Sequence, residues 1–134
     1  MKQIIDKLAS LERDIASEKS EFSLFALLLR EDANNTWDFV ASAPWLDADS
    51  RESLDYLANQ LRARLDTPEL LSLSMIVILE PDNPVLEAIH KTIEVRHGMA
   101  EVRDCIFSSV SVKHAYIITS ARDNAIGNRS PQLA

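Results

Sequence analysis

The stretch from Ser74 to Ile93, SMIVILEPDNPVLEAIHKTI, decides the fold class. Met75, Ile76, Val77, Ile78 and Leu79 form an unbroken apolar run, rich in β-branched side chains and too short for a buried helix, as expected of a strand covered on both faces. Glu80-Pro81-Asp82-Asn83-Pro84 ends the run. Asn83 can cap a helix, and Pro84 suits a first helical position, where its missing N–H is not needed. Val85, Leu86, Ile89 and Ile93 then recur at helical spacing. A covered strand feeding a capped amphipathic helix is a building unit of α/β layers, so the reading is a central strand over residues 74–80 and a helix over 83–93.

Upstream, Thr67-Pro68-Glu69 opens a short helix, 68–72. Asp49 and Glu52 have the spacing of a capping box at the start of a helix over 49–65. In that helix Leu54, Leu57, Ala58, Leu61 and Leu65 form one face, and Arg51, Glu52, Asp55, Asn59, Arg62 and Arg64 fall largely on the other. Phe22 to Leu29 is almost wholly apolar and reads as a strand buried on both faces. Thr36 to Ala43 alternates Trp37, Phe39 and Ala41 with Asp38, Val40 and Ser42, which predicts a strand with one wetter face. Asn34 and Asn35 in the polar connection tolerate left-handed backbone, so the pair makes a hairpin over 22–43. The first helix, 2–19, carries Ile4, Leu8, Leu11 and Ile15 in one narrow stripe, which suits packing on the chain's own sheet and also suits a partner helix.

Downstream, Gly98 breaks the chain, and two strand-like segments joined by Ser108 to Ser111 form a hairpin over 99–119. The crossover through residues 49–73 places the strand at Met75 parallel to the strand at Thr36. The expectation is one α/β (or α+β) layered domain, residues 1–119, with a mixed sheet of about five strands. A polar tail, residues 120–134, follows it.

Composition bounds the chemistry. The 134 residues, 46% hydrophobic and 26% charged, suffice for one core-bearing domain. Gly98 and Gly127 are the only glycines, which excludes Gly-rich dinucleotide cradles, the P-loop and the G-x-S-x-G elbow. Fourteen Lys and Arg against twenty-one Asp and Glu give a net charge of -7, a field that repels nucleic acid. Charges within the first fourteen residues interrupt any export signal, and the longest uncharged apolar stretch, Leu70 to Leu79, is about half the ~20 residues a membrane helix needs. Cys105, the lone cysteine, precludes an internal disulfide and suits a reducing, cytoplasmic setting.

Two groups of residues compete for a functional role. The sequence weakens most enzyme readings, and the first expectation is a small acidic cytoplasmic interaction module, an accessory or regulatory subunit that forms a homodimer or binds another protein. It would use its sheet edge or the stripe Ile4, Leu8, Leu11 and Ile15, with Trp45 on the loop before the second helix as an aromatic anchor. The alternative is a small enzyme or ligand-binding domain. Its site would lie at Glu80, Asp82 and Asn83, beyond the carboxyl end of a strand and at a helix N-terminus, joined by His97 or His114. If Cys105 lies opposite His114 across the last hairpin, a thiolate-imidazolium pair becomes possible. The histidines and the cysteine match no metal-ligand spacing, so no metal or other cofactor is implied.

Overall fold

In the computed structural model, residues 2–32 and 35–122 are described. The chain order is α1 (Lys2–Glu18), β1 (Leu24–Arg30), β2 (Trp37–Ser42), α2 (Arg51–Arg64), α3 (Thr67–Leu71), β3 (Leu73–Ile78), α4 (Pro84–Thr92), β4 (Ala100–Phe107) and β5 (Val110–Ser120). The strands form one mixed sheet in the order β3-β2-β1-β5-β4, as an α/β single-domain fold.

Sequence explains why β1 holds the centre. Its apolar residues serve two cores at once. Phe25, Leu27 and Leu29 pack with Ile4, Leu8, Leu11 and Ile15 of α1 and Leu57 and Leu61 of α2. Leu24, Ala26 and Leu28 pack with Leu86 and Ile89 of α4. Helices therefore lie on both faces, and the sheet is buried between two hydrophobic layers. β2 runs antiparallel to β1, with Phe25 opposite Ala41 and Leu27 opposite Phe39. β5 runs antiparallel along the other side of β1. β3 pairs with β2 in parallel, as the intervening crossover predicts.

Four details differ from the sequence reading. The strand expected at the centre, β3, closes one edge of the sheet. Its apolar run reflects cover on its faces: Leu73, Ile76 and Ile78 lean on the α1/α2 core, and Val77 and Leu79 on the α4 core. Cover of the faces dictates side-chain polarity, while the number of neighbouring strands is set by backbone pairing. Strand β2 has no wet face, since all six residues are buried. Asp38 is tolerated there because the Arg30 guanidinium donates to it at 2.7 Å, and the Ser42 hydroxyl donates to the Leu79 carbonyl at 2.8 Å.

The cap of α2 is Ser50, whose hydroxyl accepts the Ser53 N–H, and Asp49 with Glu52 forms no capping box. A reciprocal capping box occurs instead at Asp66 and Glu69, opening α3. The expected cap of α4 holds, with Asn83 Oδ1 accepting from Val85 N at 2.8 Å. The last hairpin pairs Cys105 with Val112 and Arg103 with His114. Cys105 and His114 are thus out of register, and the thiolate-imidazolium pair is withdrawn. Strand β5 runs through Ser120, and Ala121 behind it is buried. Residues 123–134 of the expected tail lie outside the described residues.

Candidate functional site

The stripe Ile4, Leu8, Leu11 and Ile15 is occupied within the chain, between 0 and 7% exposed, and belongs to the core beneath β1. Trp45 is half-buried against Phe22 and Tyr56, with ring centroids at 5.2 and 6.0 Å, and its indole N–H donates to the Ser20 carbonyl at 3.1 Å. All five side chains of the expected interface, Ile4, Leu8, Leu11, Ile15 and Trp45, therefore pack within the fold. Tyr56 gains from this cluster: burial, followed by its hydrogen bond to Glu18, pushes its phenol up to about 12.

The alternative site does not assemble. Glu80 and Asp82 border an open cavity of about 660 Å³ together with Asp47. Asn83 is engaged as the α4 cap. His114 lies near the opposite end of the sheet, beside Leu29 of β1, between Trp37 and Tyr116 at 5.4 and 4.6 Å, and contacts Glu101 at 2.6 Å. The Glu101 carboxyl is held below its ordinary range, first by that contact and then by the Arg103 guanidinium. Cys105 is half-buried, its thiol facing the Arg103 carbonyl at 3.4 Å. Among the described residues no group of three or more His, Cys, Asp or Glu is placed to hold a metal ion.

His97 belongs to a different cluster, one built on a carboxylate inside the α1 stripe. Glu12 stands four residues after Leu8 and next to Leu11, so the helical period carries it inward, where it is wholly buried. Its Oε1 meets His97 Nδ1 at 2.8 Å, and its Oε2 accepts from the Thr119 hydroxyl at 2.8 Å. That hydroxyl in turn accepts the His97 backbone N–H at 3.1 Å. Glu21 Oε1 lies 2.8 Å from His97 Nε2. The Arg13 guanidinium donates to the His97 carbonyl at 3.1 Å. A carboxylate at each ring nitrogen favours the doubly protonated, cationic imidazole. The hydrogen bond to Glu12 is the largest cause of its raised pKa. An imidazole with both nitrogens donating has no lone pair for general-base work. The cluster acts as a clamp, fixing α1 to the residues that lead into β4, with His97 itself held at a φ of 50°.

The remaining feature with functional character is the outer side of β3. The sequence LSMIVI contains no charge, proline or glycine. Beside it runs an open groove of about 540 Å³ between α2 and β3, floored by Leu61, Leu70, Leu73 and Ile76 and flanked by Arg51, Asp55 and Arg62. Met75, which lines it, is 48% exposed, and Leu71 at the end of α3 is 73% exposed. The sequence suggests a sheet edge in general terms but marks this strand as central. The parallel crossover gave no clue to its outer neighbour.

No protein-family model, no curated protein and no solved structure matches this chain. Function is therefore argued from the geometry.

Proposed function

We propose that this chain is a small acidic protein–protein interaction module of the accessory or regulatory kind, working in the cytoplasm and adding a partner's strand to the open edge of β3. The observation that carries the reading is the outer edge of β3, which among the described residues pairs with no further strand and carries no charge, proline or glycine. In a sheet ladder every second residue of an outer strand directs its N–H and C=O away from its neighbour, which leaves a row of donors and acceptors for another chain. The groove beside β3 supplies apolar surface that a docking strand and its side chains can cover. The net charge of -7 favours a protein partner over a polyanion, and a single free thiol fits a reducing compartment.

The test compares wild type with Met75→Lys as bait in extract of the native organism, both first shown to unfold cooperatively with similar midpoints. A half-exposed position should accept lysine at small cost to folding. Proteins retained by wild type, further copies of this chain included, should be lost from the lysine variant. Equal retention by both baits would remove the β3 edge from the reading. Nothing retained by either bait, with purified wild type monomeric, would remove the interaction module itself.

A further inference from the structure

We infer that the occupant of the β3 edge is a second copy of this chain, related by a twofold axis normal to the sheet, so that two five-stranded sheets join through antiparallel β3 strands into one. This rests on the edge reading above and adds the partner and its geometry.

Helix α2 selects this occupant. Because β2 and β3 run the same way, α2 carries the chain back between them. A twofold axis normal to the sheet turns β3 antiparallel to its mate and keeps both α2 helices on the same face, also antiparallel. Asp55 and Arg62 both border the groove. They stand seven residues apart, about two turns, on one side of the helix. Ala58, between them in the same lining, is small enough to let two helices approach closely. The axis through this midpoint brings Asp55 of each copy toward Arg62 of the other, twice per dimer. Arg62 has no acidic partner among the described residues, its guanidinium donating only to Asn59 Oδ1 at 2.9 Å. Asp55 is held loosely by Arg51 at 3.3 Å on a side chain 86% exposed. Arg51 also lines the groove at the first turn of α2 and shares Asp55, so the complementarity rests on Arg62 of each copy reaching Asp55 of the other, a reciprocal contact of the kind an isologous interface requires. The uncharged β3 strand fits the same symmetry, since antiparallel self-pairing would set any charge near its centre against its own copy.

Sedimentation equilibrium of the purified full chain decides the matter. Wild type should sediment as a dimer at micromolar concentration. Ser74→Lys and Met75→Lys, which place like charges across the axis, should each weaken association about a hundredfold. Asp55→Arg alone and Arg62→Asp alone should each weaken it about tenfold, and the two together should restore it to near the wild-type constant. Ser74 is exposed and lines the groove, so its variant reads the edge even if Met75→Lys fails to fold. Wild type that stays monomeric at high micromolar concentration overturns self-pairing. The edge reading then stands or falls separately on the bait comparison. A dimer unmoved by Ser74→Lys, or charge reversals with no rescue in the double variant, overturns the geometry.

Discussion

Strands β4 and β3 close the same sheet on opposite sides and carry opposite kinds of sequence. β4 presents Glu101, Arg103 and Asp104 along its length. Asp104 sits at a φ of 54° between the pairs Arg103–His114 and Cys105–Val112, which distorts the ladder where another strand would dock. The segment entering β4 is pinned to the core by Val95 bridging Ser120, by the Gly98 N–H donating to the Ile118 carbonyl at 3.0 Å, and by the His97–Glu12 clamp. β3 has a register irregularity of its own at Ser74, between the pairs Trp37–Leu73 and Asp38–Met75, but among the described residues it carries no charge and no clamp. It has the composition of an inner strand and lies at an edge, and natural sheets protect such strands or use them. The difference teaches that the two edges are built differently: charges and a clamp mark the β4 side, while β3 is uncharged, and the proposed pairing turns on that contrast.

The largest effect should come from breaking the pin on the β4 side. Glu12→Ala removes a buried carboxylate that satisfies both the His97 ring and the Thr119 hydroxyl. It should cost ~3 kcal/mol, the lower end for breaking a buried charged pair, because His97 can regain water. Urea denaturation measures this loss. Hydrogen exchange should show it concentrated in residues 95–107, with β3 amides unchanged, and an equal loosening at β3 would erase the contrast between the edges.

A smaller effect follows from pH. The folded protein holds the His97 proton more tightly than the unfolded chain, whose histidine titrates at an ordinary value near 6.5. That contribution is complete below the unfolded value and is lost as pH rises through the raised folded value. On the acid side, Glu69 is held low first by the Lys7 hydrogen bond, and Glu87 by the Arg122 hydrogen bond. Their contributions are present above the ordinary carboxylate value and fade as pH falls through the lowered ones. Stability should therefore decline on both sides of a mildly acidic to neutral maximum. His97→Asn should flatten the alkaline limb and leave the acid limb in place. A variant that keeps the alkaline slope would show that another group carries it.

The sequence made the elements legible and the arrangement less so. Every helix and strand announced itself, because periodicity and apolar runs report which faces are covered: α1 by Leu8, Leu11 and Ile15, β1 by its run of leucines, α4 by Asn83 and Pro84. The rank of a strand in the sheet leaves no such mark. Strand β3 is apolar because α2, α3 and α4 flank it, and an inner position would demand the same residues. The clamp was half legible, since Glu12 falls within the helical stripe at Leu8 plus four and a carboxylate there needs a partner. That the partner is His97 depends on a left-handed residue between α4 and β4, which no local pattern encodes. The Cys105–His114 pairing failed by a register of two residues, a quantity that the Ser-rich turn alone leaves undetermined.

The smallest effect sharpens the contrast most directly. Ile106 is 71% exposed on β4, more apolar surface than Met75 offers on β3. If exposed apolar area alone drove association, Ile106→Lys should weaken it more than Met75→Lys does. If the uncharged β3 edge drives it, Ile106→Lys should leave the sedimentation constant unchanged, because Asp104 already spoils the ladder beside it and Glu101 and Arg103 occupy the same strand. Stability should move by no more than ~0.5 kcal/mol, as expected for an exposed side chain outside the core. The paired measurement separates two physical causes that a single variant would confound. A loss of association at Ile106 matching that at Met75 would mean that both edges pair, and the contrast between them would have to be abandoned.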